Sequence, residues 1–113
     1  MALAADQFPE ITQDQLKQAI AEKKVVLLDA NGSESYNARH IPGALNFEVA
    51  KADLAAKLPK DKGALIVAYC GNEQCPAYEA AALKAKELGY TNVKHFAMGI
   101  QGWVKSGQPT EKS

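Results

Sequence analysis

The sequence predicts an α/β domain, a mainly parallel sheet covered by helices on both faces. Two observations carry this. Short apolar runs rich in β-branched residues, Val25-Val26-Leu27-Leu28 and Ala64-Leu65-Ile66-Val67-Ala68-Tyr69, read as strands buried on both faces, and they alternate with amphipathic or alanine-rich segments of helical length. The runs then stop at Asp29 and Cys70, polar or reactive residues at the carboxyl ends of strands, where sheets of this kind bind their ligands.

The elements follow in order. Phe8-Pro9-Glu10-Ile11 is an extended entry. Thr12, with Gln15 three residues on, forms a capping-box pattern for a helix over Leu16, Ala19 and Ile20 that ends near Lys23. After the strand ending on Asp29, a loop through Asn31-Gly32 leads to a short helical piece from Ser33 to Ala38. His40-Ile41-Pro42-Gly43-Ala44 then turns into a brief strand from Ala44 to Phe47. A helix is expected from Lys51 to Leu58, stopped by Pro59. The second apolar run gives way to the loop Cys70-Gly71-Asn72, and an alanine-rich helix runs from Pro76 to Leu88-Gly89, with Gly89 as the C-cap. Val93 to Phe96 is the next strand and Ile100 to Lys105 the closing helix. One domain covers residues 1–113, with flexible ends at about 1–7 and 108–113.

Bulk properties narrow the function classes. A chain of 113 residues, 47% apolar and 23% charged, has the composition of an ordinary globular domain. Its 13 basic and 13 acidic residues cancel and the lysines are scattered, so nucleic acid and anionic membranes are not expected partners. Two cysteines make no disulfide scaffold and lack zinc-site spacing, so neither metal nor cofactor is expected. Two readings stand for Ala2-Leu3-Ala4. As the end of a secretory leader it places the protein in the periplasm or outside the cell; as an ordinary alanine-rich start it leaves the protein cytoplasmic.

Cys70 is the candidate nucleophile. A thiol reacts as its thiolate, and thiolates are stabilised at helix N-termini and by ring-like arrays of backbone amides. The segment Gly71, Asn72, Glu73, Gln74, Cys75 is expected to wrap its amides around Cys70 and to hold a bound sulfur there, with Gly71 and Asn72 suited to a left-handed turn. From composition alone, a cysteine closing an apolar run is as well read as a small buried hydrophobe.

The set Leu28-Asp29, Tyr36 with His40-Ile41-Pro42-Gly43-Ala44, Val67-Ala68-Tyr69-Cys70, Leu88-Gly89-Tyr90-x-Asn92-Val93 and Gly99-Ile100-Gln101-Gly102-Trp103 resembles the single-domain rhodaneses across nearly the whole chain. The resemblance implies a five-stranded parallel sheet flanked by helices, a persulfide carried on Cys70, and flanking signatures at His40 to Ala44 and Gly99 to Trp103 with mostly structural roles. It also brings departures into view. Family members active on thiosulfate often carry a cation in the loop, whereas this loop has none and includes Glu73, which opposes a dianion. A polysulfide or a protein persulfide is therefore the expected donor, with a thiol or cyanide as acceptor. Asp29-Ala30-Asn31 stands where Asp-x-Arg is usual. Arg39, the only arginine, either returns a positive charge to the mouth or pairs with Glu34 at the surface.

Three functions compete. Cys70 is the nucleophile of a sulfurtransferase; or Cys70 and Cys75 cycle as a thiol–disulfide pair, Cys75 being either a resolving thiol or a small residue at the helix start; or the domain is a non-catalytic binding module. A phosphatase is discounted because Cys75-Pro76 stands where an arginine would close such a loop. Asp29 and Arg39 are possible supporting residues. His40 is read as fixing its loop, and Tyr69, Phe96, Ile100 and Trp103 as core. His95 has no assigned partner, and Tyr78 and Glu79 are expected at the pocket rim.

Overall fold

A computed structural model describes residues 8–72 and 74–112. The Ala2-Leu3-Ala4 segment therefore lies outside the described residues. Helix α1 spans Gln13–Ala21 and begins with the capping box in full: Thr12 Oγ1 accepts from Gln15 N–H, and Gln15 Oε1 accepts from Thr12 N–H, each at 3.1 Å. Strand β1 is Val26–Asp29 and α2 is Ser33–Ala38, both as the sequence indicates.

The first departure follows β2, Leu45–Asn46. The helix expected from Lys51 starts earlier, as α3 (Phe47–Ala50), a tighter turn over Lys51–Asp53, and α4 (Leu54–Lys57). Its trigger is Asn46, whose Oδ1 accepts from Glu48 N–H at 3.1 Å and so caps the helix from inside what reads as a strand. Strand β3 is Leu65–Tyr69, α5 is Tyr78–Glu87, β4 is Asn92–His95 and α6 is Gly99–Lys105. Helix α5 thus begins two residues beyond Pro76, and Gly89 beyond its end takes φ of 101°.

The sheet is wholly parallel, in the order β2-β1-β3-β4, with Val26 opposite Ile66 and Ala68 opposite His95. The five strands implied by the resemblance are four among the described residues. At the fifth place, beside β4, stands a single parallel bridge between Glu10 and His95, made by Ile11 N–H to His95 O (3.0 Å) and His95 N–H to Pro9 O (2.9 Å). Among the described residues it extends no further, because Pro9 has no N–H to donate and Thr12 already caps α1.

Alternate residues of β3 face opposite ways. Ile66, Ala68 and Cys70 join Leu28, Leu54, Leu58 and the α5 alanines 81, 82 and 85; Val67 and Tyr69 join Leu27, Leu16, Phe96 and Trp103. The three alanines are fully buried, which lets α5 lie close on the sheet. The C-terminal stretch makes defined contacts: Trp103 Nε1–H donates to Pro109 O at 2.7 Å, and Glu111 forms an antiparallel bridge with His40. Among the described residues no helix is long and apolar enough to cross a membrane, and no cluster of three or more His, Cys, Asp or Glu stands together to hold a metal.

Candidate active site

The central strand β3 delivers Cys70 to the carboxyl edge of the sheet, and three hydrogen bonds fix the strand's end. Tyr69 O accepts from Ala30 N–H (2.8 Å), Cys70 O from Ile100 N–H (2.9 Å) and Gly71 O from Gln101 N–H (3.0 Å). The first turn of α6 is thereby pressed onto the backbone of Cys70 and Gly71. At Gly99, which takes φ of 64°, a Cβ would lie 2.5 Å from Cys70 O and 2.7 Å from Gly71 C. Only glycine fits there.

Beyond Gly71, Asn72 organises the loop. Its Oδ1 accepts from Gln74 N–H (2.9 Å), its carbonyl from Cys75 N–H (3.2 Å), and its Nδ2 donates to Gln101 Oε1 (3.3 Å). Neither Gly71 nor Asn72 takes a left-handed conformation, contrary to expectation; the side chain of Asn72, rather than a reversed backbone, makes the turn. Glu73 lies outside the described residues.

Cys70 and Cys75 form a disulfide, with Cα atoms 6.3 Å apart. Cys70 is 1% exposed and belongs to the apolar cluster between the sheet and α5, while Cys75 is half-buried against the same cluster. The Cys75 carbonyl oxygen lies 3.1 Å from Cys70 Sγ. In this oxidised loop the amides of Gln74 and Cys75 are engaged by Asn72, and the Cys75 carbonyl faces the sulfur.

Asp29, fully buried, accepts from Asn31 N–H (2.8 Å) and from Tyr69 O–H (2.8 Å), and the Tyr69 oxygen accepts from Ile41 N–H (3.0 Å). Burial raises the carboxyl above its ordinary pKa, with these hydrogen bonds pulling the other way. Asp29 thus ties the strand ends to the His40–Ala44 turn. Replacing Tyr69 by Phe leaves the Asp29 carboxylate and the Ile41 amide short of a partner, and is expected to cost about 1–3 kcal/mol in denaturant unfolding. An unchanged unfolding midpoint would refute this role.

Arg39 is exposed and, among the described residues, forms no ion pair with Glu34. It lines an open cleft of about 650 Å³ with Asn72, Met98, Gln101 and Lys105. Arg39 and Lys105 therefore place positive charge beside the loop that itself lacks a cation. Sequence reasoning missed Lys105 and Gln101, because only the docking of α6 on the loop brings them there.

His40 fixes its turn: its ring stacks on Tyr36 at 3.8 Å and its Nδ1 lies 2.8 Å from Tyr36 O. Tyr78, expected at the rim, is instead buried and stacked on His95 with ring centroids 3.4 Å apart. Burial pushes the His95 imidazole below its ordinary pKa, with Glu10 acting in the opposite sense. Between that lowered value and about 6.5 the unfolded chain binds more protons than the native one. The His95 contribution is therefore complete above that range and is lost as pH falls through it. Thermal midpoints are expected to fall on acidification across this window, and less steeply in His95→Phe. Equal slopes for the two proteins would contradict this.

Comparison with known proteins follows the same lines. The family model for the rhodanese-like domain matches residues 12–106. The chain is 35% identical over 103 residues to the HTH-type transcriptional regulator Rv0324 of Mycobacterium tuberculosis, a match spanning 90% of this chain and 44% of that protein, less than half its length. It is 29% identical to the thiosulfate sulfurtransferase GlpE of Pseudomonas savastanoi pv. phaseolicola, over 86% of this chain and 88% of that one. Among solved structures, the BH2092 protein of Bacillus halodurans superposes with a TM-score of 0.73 at 26% identity, over 95% of this chain and 79% of that chain. The human single-domain sulfurtransferase TSTD1 superposes with 0.69 at 23% identity, over 86% and 96%, a likeness of fold.

Proposed function

Because the chain belongs to the rhodanese-like domain family, we propose that it is a sulfurtransferase carrying sulfane sulfur as a persulfide on Cys70. The observation that carries the reading is the position of Cys70, at the carboxyl end of the central strand, clamped through its carbonyl by α6 and followed by a short loop into α5. Relatives 29% and 25% identical bear the name thiosulfate sulfurtransferase, which supports the reaction class. In the reduced protein the Cys70 thiolate attacks a terminal sulfur of the donor, and the adjoining S–S bond breaks with the electron pair leaving on the donor remnant. An acceptor thiolate or cyanide then takes the outer sulfur and returns Cys70 as thiolate.

The donor is a polysulfide or a protein persulfide in preference to thiosulfate. Thiosulfate brings a sulfonate that must lose its water beside a sulfur lying in an apolar cluster, and Gly71, Asn72, Gln74 and Cys75 offer it no cation. Arg39 and Lys105, on the cleft beside Asn72, favour an anionic carrier approaching along that side.

The test is to mix reduced protein with polysulfide or thiosulfate, quench with iodoacetamide within seconds, and map the digest by mass. The expected product is an alkylated persulfide on the Cys70 peptide, formed faster from polysulfide. Absence of extra sulfur on Cys70 in both wild type and Cys75→Ala, the second being unable to discharge it through Cys75, would sink the reading. The disulfide favours a second reading, a thiol–disulfide redox protein with no sulfur on its cycle, and the same digest separates the two.

A further inference from the structure

Resting on the Cys70 persulfide, we propose a second fate for it: when no acceptor arrives, Cys75 discharges it as hydrosulfide and closes the loop as the disulfide seen in the structure. The protein is then a persulfide reductase as well as a carrier, and its oxidised loop is an off-state that a thiol reductant must reopen.

The geometry supplies the step. The inner sulfur of a persulfide on Cys70 is Sγ itself, and Cys75 Sγ is bonded to that atom in the structure, so the attacking atom already has a path to its target. The two residues lie in one short loop whose start is fixed at both the Cys70 and Gly71 carbonyls. An attack within one loop avoids the entropic cost of bringing two molecules together. It is also directed by the leaving group: hydrosulfide, with a pKa of about 7, departs more readily than a cysteine thiolate of about 8.5.

The step balances. The Cys75 thiol, attacking as its thiolate, forms an S–S bond with Cys70 Sγ. The bond from Sγ to the outer sulfur breaks, and its electron pair leaves on that sulfur, which takes the Cys75 proton to become HS⁻. The sulfane sulfur is reduced to sulfide, and the two cysteines are oxidised to the disulfide. A dithiol, or two equivalents of a monothiol, then restores both thiols by exchange and is itself oxidised to a disulfide.

The closed loop explains why the reductant gates the site. In it the Cys75 carbonyl stands 3.1 Å from Cys70 Sγ, and the Gln74 and Cys75 amides point to Asn72. A carbonyl oxygen opposes a thiolate or persulfide anion, so the loop must rearrange on reduction before sulfur is accepted again.

The experiment uses the full chain, reduced and desalted under anaerobic conditions, with glutathione persulfide supplied one equivalent at a time and no other thiol, so that the single glutathione left by the first transfer falls short of the two needed to reopen the disulfide. Wild type is expected to release one equivalent of sulfide, stop, and end about 2 Da lighter as the disulfide; added dithiothreitol restores repeated turnover. Cys75→Ser is expected to release no sulfide and to hold a gain of about 32 Da on Cys70. Cys75→Ala is run beside it, because Cys75 packs against the apolar cluster and a serine hydroxyl there disturbs it. Wild type that retains the extra sulfur without releasing sulfide overturns the discharge step while leaving the Cys70 persulfide intact. Failure of both Cys75 variants to gain sulfur overturns the Cys70 persulfide itself, and the discharge with it.

Discussion

Replacing Cys70 by serine is expected to lower sulfur transfer by about 10³-fold or more, to the level of the uncatalysed reaction, because a neutral hydroxyl can form no persulfide. The substitution also removes the cross-link to Cys75, worth about 2 kcal/mol for so short a loop in the chain-entropy account. Cys75→Ser loses the same cross-link and keeps the Cys70 thiol. Unfolding midpoints of both variants should therefore fall, further for Cys70→Ser, which also buries a hydroxyl in the apolar cluster, while only Cys70→Ser loses formation of the persulfide peptide. Transfer by Cys70→Ser at a tenth or more of the wild-type rate would remove Cys70 as the nucleophile.

The second large effect is expected at a residue that carries no functional group. Gly99→Ala places a methyl 2.5 Å from Cys70 O and 2.7 Å from both Gly71 C and Gly71 O, all of them backbone atoms held by hydrogen bonds to α6. The left-handed conformation at φ of 64° adds strain of its own. The two costs together are about 2–4 kcal/mol. Relief requires α6 to lift from the strand end, so persulfide formation should slow along with the loss of stability. Gly43→Ala is the control: its φ is 85°, but nothing lies within 4 Å of the added methyl, so only the conformational cost of about 1 kcal/mol remains. Equal destabilisation by the two variants in denaturant melts would show that crowding against Cys70 and Gly71 has no part in the effect.

Much of this arrangement was legible in the sequence wherever local chemistry decides the outcome. Thr12 and Gln15 announce α1 because a capping box is complete within four residues. The apolar runs of β1 and β3 need burial on both faces, which places Asp29 and Cys70 at strand ends. Where a distant partner decides, the reading fell short. Asn46 caps α3 from a position that also pairs with Asp29 in the sheet, so strand and helix signals overlap on one residue. Among the described residues the edge beside β4 is one bridge, Pro9 and Thr12 leaving little extended chain between them. Tyr78 reads as a rim residue from its place after the loop, yet the facing ring of His95 draws it inward. Gln101 and Lys105 sit about thirty residues from Cys70 in sequence, and only the docked α6 brings them to the loop.

The burial of Cys70 at 1% exposure bears on how its chemistry should be timed. Where the reduced loop keeps that burial, a sulfur in the cluster of Leu28, Ala68 and the α5 alanines meets a dissolved reagent only when the loop opens. Its observed reaction rate is then the opening frequency of the loop multiplied by the chance of capture before reclosure, and the intrinsic nucleophilicity of the thiolate enters through the second factor alone. At high reagent concentration, alkylation of the reduced protein would level off at that frequency, so the plateau measures a motion of the backbone with a chemical clock.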